Sequence, residues 1–339
     1  MDVNYKIINL PFKHPFTISK GTKTHQPSFL VELDFMGIKG YGEAPAISYY
    51  NVTVEKMEQE LLAKEIFIKK ASFNTPERFW HYLHHLYPQN PFLVCALDMA
   101  GWDLFGKWQR KPLYKLWNLN PENIPVTDIT IGIDSIEKMV AKLKETPWPV
   151  YKIKLGTNED VEIIEALRKH TDAPFRIDAN AAWKAEDALE KIKIFSKLNV
   201  EFIEQPLAKD DWNGMKYLME HSPLPLYADE SCVHEEDVEK CHGYFHGINI
   251  KLTKCSGITP ALRMIETARK LQMKVMMGSM NESSIGTAAI GQMLPLLDHV
   301  DMDGPLLLKG DAATPVATFD HGKYVYHDLP GLGVEVPAF

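Results

Sequence analysis

Eight short apolar runs along residues 126–303 each stop on a polar residue or a glycine. The stops are Thr130, Lys154, Asp178, Glu204, Asp229, Lys251, Gly278 and Asp303, spaced 22 to 27 residues apart. That spacing suits one strand, one helix and their loops, and eight such units close into a TIM-type (β/α)8 barrel. The predicted strands are 126–131, 150–155, 174–179, 201–205, 225–229, 247–252, 274–278 and 299–303. Helical patterns such as DVEIIEALRKH, AEDALEKIKIFSKL and PALRMIETARKLQ lie between them, as a parallel sheet requires. Barrels of this kind carry their chemistry at the C-terminal strand ends. Here five of those ends read base, acid, acid, acid, base.

The chain, at 339 residues, is longer than the barrel alone. Residues 1–50 read as strands, with a hairpin about Gly37 in FLVELDFMGIKGYGEA. Residues 52–118 read as helices, one opening at Thr53 and one long and buried, ending near Pro112. This divides the chain into an α+β unit at 1–120, the barrel at 121–314, and a segment at 315–339 that folds back on the first unit. A net charge of −8 argues against nucleic acid as the main partner. No apolar run approaches a membrane span, and MDVNYKIINLPF lacks the basic and apolar regions of a signal peptide. Cys95, Cys232, Cys241 and Cys255 show no CxxC spacing, so reduced, buried thiols in a cytoplasmic protein are expected. The sequence leaves the oligomeric state open, a homo-oligomer included.

Asp178, Glu204 and Asp229 end three consecutive predicted strands and so project into one space. Three carboxylates together need a cation, and an all-oxygen set selects Mg²⁺ or Mn²⁺ over Zn²⁺. Each acid taken singly reads equally well as the cap of the following helix. Lys152 and Lys154 in VYKIKLG share one strand face. If that face is the barrel interior, each ammonium should lower the other's pKa, as a general base requires. Lys251, in GINIKLTKCSG, stands across the mouth from Lys154, while Lys254 on the following loop is expected to be solvated. Two lysines on opposite sides of a metal-held carbon acid suit a racemase or epimerase, one removing the α-proton and the other returning it. A Schiff-base lysine is the alternative for Lys251, but it needs no carboxylate triad. Asp301 and Asp303, in HVDMDGP, read equally as an inward ammonium-binding pair or as a turn.

Together the KxK, DxN, EQP, DES and NIK elements resemble the enolase superfamily, in its muconate-lactonising subgroup, over almost the whole chain. The resemblance implies that the N-terminal unit caps the barrel mouth. It implies one Mg²⁺ per subunit on Asp178, Glu204 and Asp229, with Lys154 and Lys251 as the acid/base pair. It implies that Lys152 and Thr130 contact substrate and that Asp301 and Asp303 hold a dipeptide's α-ammonium. An Ala-Xaa dipeptide epimerase follows. The cap segments near 16–25 and 46–52 would touch the distal part of the substrate. Ala-Glu-specific members use an arginine in the first of these, whereas FTISKGTKTH offers only Lys20 and Lys23. The second offers Ile47, Tyr49 and Tyr50, so a small or apolar second residue such as Ala or Val is expected. An Ala-Glu epimerase remains an alternative, as does an o-succinylbenzoate synthase or N-acylamino acid racemase. The aspartate pair speaks against the last two, whose substrates lack a free ammonium. A barrel that only binds a carboxylate would need neither lysine.

Overall fold

The computed structural model describes residues 1–18, 20–337 and 339. The N-terminal strands form one antiparallel sheet: β1 (Asp2–Ile18), β2 (Gly21–Phe35) and β3 (Ile38–Pro45). Phe35 pairs with Ile38, leaving a two-residue turn at Met36 and Gly37. Both have positive φ, 56° and 81°, which is the hairpin turn whose twist matches its strands. Three helices follow: α1 (Val54–Lys70), α2 (Pro76–Leu86) and α3 (Pro91–Trp108). The Thr53 side chain accepts the Lys56 N–H and caps α1.

The long helix α3 stops at Trp108, short of the expected end near Pro112. Arg110 adopts a left-handed conformation (φ 55°), which breaks the helix before the proline can. Almost every face of α3 is buried because it lies between the cap sheet and the barrel. Asp98 accepts the Thr259 N–H at 3.0 Å and the Thr259 hydroxyl at 2.8 Å. Trp102 Nε1 donates to that same hydroxyl at 2.9 Å. Asp103 accepts the Tyr41 N–H at 2.9 Å and the Leu332 N–H at 2.8 Å, joining cap, connecting helix and C-terminal segment.

The barrel strands run in sequence order, all parallel: β4 (Ile129–Ile131), β5 (Tyr151–Lys154), β6 (Phe175–Asp178), β7 (Val200–Glu204), β8 (Leu226–Ala228), β9 (Gly247–Ile250), β10 (Lys274–Gly278) and β11 (His299–Asp301). A parallel bridge from Thr127 to Val300 brings the first and last staves together. Tyr151, Ile153, Phe175 and Ile177 join the core under the helices. The alternate positions point inward, so Lys152, Lys154, Arg176 and Asp178 face the barrel interior. Phe202, Tyr227 and Met276 form a separate apolar layer. Three of the expected strand ends lie slightly beyond their strands: Asp229 and Lys251 by one residue, Asp303 by two. Past residue 304 the chain returns to the cap, where Leu308 bridges Phe12 and the Phe339 ring lies 5.9 Å from Tyr41. All four cysteines are free and buried, and no described helix is long and apolar enough to cross a membrane.

The cap sheet meets α3 backbone to backbone. A Cβ on Gly42 would lie 1.9 Å from the Ala96 carbonyl oxygen and 2.8 Å from Ala100 N. Gly42→Ala should therefore push β3 off α3 and lower stability by about 1–3 kcal/mol. Chemical denaturation would register this as a lower midpoint; an unchanged midpoint would show that the seam is not close-packed.

Candidate active site

The acid and base strand ends meet in one buried cluster. Asp178, Glu204 and Asp229 each offer an oxygen within 4.8 Å of the others. Asp178 and Glu204 sit on adjacent paired strands, in register with each other. Asp229 follows β8 and is held by Gln205, whose Oε1 accepts the Asp229 N–H at 3.0 Å and the Ser231 N–H at 3.1 Å. Gln205 takes a positive φ (38°) to do this, a strained position retained by the surrounding hydrogen bonds. Asn249 Nδ2 donates to Glu204 Oε1 at 2.7 Å.

The lysines neutralise these acids. Lys152, 1% exposed, reaches Glu204 at 2.7 Å, Asp301 at 2.8 Å and Asp178 at 3.2 Å. Lys154 Nζ lies 2.6 Å from Asp178, and Lys251 Nζ lies 2.7 Å from Asp229. β5 and β9 are four staves apart in an eight-stave barrel, so Lys154 and Lys251 approach the triad from opposite sides. Lys254 is not solvated as expected. It is 2% exposed, and its ammonium binds the Asp229 carboxylate and backbone oxygens. The helical turn Leu252–Cys255 swings it back over the metal-ligand set, three residues after Lys251.

Burial alone would raise Asp178, but Lys154 and Lys152 hold its carboxyl well below the usual carboxylate range. Burial likewise opposes ionisation of Asp229, which Lys251 and Lys254 reverse. Glu204 is pushed up to about 7 by burial and by the Asp178 charge. The expected mutual lowering of the paired lysines fails at Lys152. Burial does work against its charge, but Asp301, Glu204 and Asp178 outweigh that and hold it well above the ordinary lysine value. The acids around Lys152 outnumber the one neighbouring lysine considered from sequence. Lys251 is likewise held up, Asp229 overcoming burial.

Asp301 and Asp303 both line the cavity above the triad, together with Thr130, Lys154 and Lys251. Asp301 Oδ2 accepts from Lys152 Nζ at 2.8 Å, and its buried Oδ1 has no partner among the described residues. Asp303 accepts the Thr130 N–H at 2.7 Å, and burial beside Asp301 pushes its carboxyl up to about 7. Asp303 is also the residue before the short helix Gly304–Leu307, so the inward and turn readings hold together. The cap closes a cavity of about 130 Å³, bringing Ile18, Lys20 and Lys23 from one segment and Ile47 and Tyr49 from the other. Ser19, in the first segment, lies outside the described residues. Lys20 is tied to Glu230 at 3.1 Å and stands over the Tyr49 ring at 5.1 Å. Lys23 donates to Gln26 at 3.2 Å, and burial lowers it to about 8.

Gln205 and Asn249 enter the sequence reading only as members of the EQP and NIK elements, with no role given them, and Glu282 does not enter it. Asn249 precedes Lys251 by two, so strand alternation alone could have placed it inward. The local sequence carries no signal for Glu282. It is buried on the loop after β10, accepts the Met280 N–H at 2.7 Å, and so folds the cavity-lining segment 279–281 back on itself.

The donor set is all oxygen, buried and convergent, and so fits a hard divalent cation. Comparison with known proteins agrees. The family described as mandelate racemase/muconate lactonizing enzyme, N-terminal domain, matches residues 3–117, and that described as enolase C-terminal domain-like matches residues 134–338. The chain is 51% identical over 326 residues to the L-Ala-D/L-amino acid epimerase of Flavobacterium johnsoniae, covering 96% of this chain and 97% of that one. It superposes with a TM-score of 0.94 on the L-Ala-D/L-Glu epimerase from Bacillus subtilis in a substrate-liganded complex, at 26% identity and 100% and 99% coverage. A dipeptide epimerase from Cytophaga hutchinsonii, complexed with Mg and the dipeptide D-Ala-L-Val, gives a TM-score of 0.91 at 27% identity, with 98% and 95% coverage.

Glu282 makes a pH test of this burial. Burial and the nearby Glu43 raise its carboxyl to about 8. A carboxyl raised in the fold costs stability as pH climbs from its ordinary value toward the folded one, because the folded state then binds the extra proton. Glu282→Gln should therefore lose less stability than the parent between pH 5 and pH 8, by roughly 1–3 kcal/mol. Denaturation at the two pH values checks this, and equal losses would contradict it.

Proposed function

The chain belongs to the mandelate racemase/muconate lactonizing enzyme family of the enolase superfamily, and on that footing we propose that it is an L-Ala-D/L-amino acid epimerase. It inverts the α-carbon of the second residue of an Ala-Xaa dipeptide. The observation that carries this is the placing of Lys154 and Lys251 on opposite sides of the triad, with Asp301 and Asp303 on the wall between cap and barrel.

Asp178, Glu204 and Asp229 hold the metal, Mg²⁺ by the hardness of the donors. When bound there, the cation would supply fixed positive charge to offset the negative charge on the substrate carboxylate as the α-proton leaves. Lys152 adds a fixed positive charge beside the same carboxylate. One of Lys154 and Lys251 takes the α-proton, and the other delivers a proton to the opposite face. Asp301 Oδ1 and the Asp303 carboxyl receive the dipeptide's ammonium, beside Thr130. The four free, buried thiols suit a cytoplasmic setting.

The apolar residues that the cap and the loop after β10 bring to the cavity wall, Ile18, Ile47, Tyr49 and Met280, favour a small or apolar side chain on the second residue. Lys20 is already paired with Glu230. A second reading, an L-Ala-D/L-Glu epimerase, rests on Lys23, a half-buried ammonium on the cavity wall whose hydrogen-bond partner is the neutral Gln26 amide. The ratio of kcat/KM for Ala-Val and Ala-Glu separates the two.

Lys154→Ala and Lys251→Ala should each lower epimerisation by at least about 10²-fold. Each should retain α-proton exchange with one stereoisomer of the substrate, and with opposite choices. Near-normal epimerisation by either variant would refute the two-base mechanism.

Asp301→Asn and Asp303→Asn should lower kcat/KM for dipeptides by roughly ten- to hundredfold, the value of one charge-assisted hydrogen bond. N-acetylating the dipeptide should cost the parent enzyme a similar factor and the variants much less. If the parent turns over the acetylated compound equally well, the site serves an N-acylamino acid instead.

A further inference from the structure

Lys254 is a fourth lysine at the site, and its surroundings differ from those of the other three. Its ammonium is surrounded by three acceptors: Asp229 Oδ1, the Asp229 carbonyl at 2.6 Å and the Cys232 carbonyl at 3.3 Å. An ammonium has three N–H donors, so none is left over for a substrate. Lys154 and Lys251, in contrast, line the cavity. Lys251 touches Asp229 only through the other carboxylate oxygen, Oδ2, at 2.7 Å.

The two lysines thus divide one carboxylate. We propose that Lys254 is a positioning residue for the metal site: it anchors Asp229 Oδ1 to the protein so that Oδ2 alone is presented to the cation. Oδ2 is the oxygen that Lys251 shares and that a cation held by the triad would compete for, whereas the three Lys254 contacts lie on Oδ1 and two backbone carbonyls. The same ammonium ties Asp229 to the Cys232 carbonyl and so closes the turn that follows β8. Gln205 fixes the backbone of that turn from the other side through the Asp229 and Ser231 N–H groups. The carboxylate is therefore held at both its backbone and its rear oxygen before any cation arrives. This inference rests on the reading of Asp178, Glu204 and Asp229 as metal ligands.

Electrostatics and orientation predict opposite signs. Deleting a positive charge beside a cation site tightens cation binding by Coulomb's law. Deleting the partner that orients a ligand weakens it, by about 10- to 100-fold for groups of this kind. Orientation should win, because removing Lys254 also takes a charged donor from three buried acceptors, of which the Asp229 carbonyl keeps only the Cys232 N–H at 3.1 Å.

The test is calorimetric titration of Mg²⁺ into the full-length protein without substrate, for the parent and Lys254→Met, with the thermal midpoint of each metal-free protein measured alongside. A Kd raised about 10- to 100-fold supports the proposal. A Kd that is unchanged or lower overturns it, as does a fall in midpoint with no change in Kd, which would mark Lys254 as packing only. If Lys254→Met does not fold, Lys254→Arg decides. Its planar fork keeps the charge but cannot aim three donors at acceptors gathered around one nitrogen, so its Kd should also rise, and parent-like affinity overturns the proposal. Failure of the parent itself to bind Mg²⁺ would instead remove the metal-site reading on which this one stands.

Discussion

Like charges cannot share a dry space unless something neutralises them, and the barrel mouth is built around that constraint. Asp178, Glu204 and Asp229 are buried within 4.8 Å of one another, with Asp301 close behind through Lys152. Unpaired, such a set would cost several kcal/mol per charge. Four lysines meet the demand in the protein itself, each on at least one of these acids. Their contacts are not equivalent. Lys154 and Lys251 hold theirs from the cavity wall, where a cation and a substrate could replace them, whereas Lys254 holds Asp229 from behind. On the proposed function, one set of ion pairs both stabilises the fold and holds in reserve the two lysines assigned to proton transfer.

The cap completes the space that the barrel opens. Gly40 and Gly42 let β3 lie directly on α3, and Asp98, Trp102 and Asp103 fasten α3 to the barrel and the C-terminal segment. Glu43, also from β3, accepts the Ser283 and Gly286 N–H groups at the start of the helix Ser284–Met293. That seam brings Ile18, Ile47 and Tyr49 over the triad. On the proposed function, chemistry and selectivity sit on different parts of the chain: proton transfer on the barrel strands and their ends, side-chain choice on the cap segments that line the cavity.

Much of this was legible in the chain because strand geometry is regular. A period of two fixes which residues face inward, so Lys152, Lys154, Asp178 and Glu204 could be read directly from their runs. The repeat of two dozen residues fixed the order of the staves. What escaped was governed by turns. Lys254 looked like a loop residue because nothing in KLTKCSG announces that Leu252–Cys255 forms a helical turn directing it inward. Gln205 and Glu282 act through backbone N–H groups far off in sequence or folded back on a loop, contacts that no periodicity encodes. The ionisation of Lys152 was misjudged for a related reason: its state follows from a count of neighbours in space, and Asp301 lies 149 residues away.

The proposed reaction turns on one chemical event, exchange of a single carbon-bound proton. Proton NMR of L-Ala-L-Val incubated with the enzyme and Mg²⁺ in D2O follows that event atom by atom. The valine α-proton signal should disappear as the second diastereomer grows in, the alanine α-proton should persist, and a chelator should stop both changes. Exchange at the alanine α-carbon, or undiminished exchange after the metal is removed, would contradict the assignment of the triad, the lysine pair and the aspartate pair to their places around the substrate.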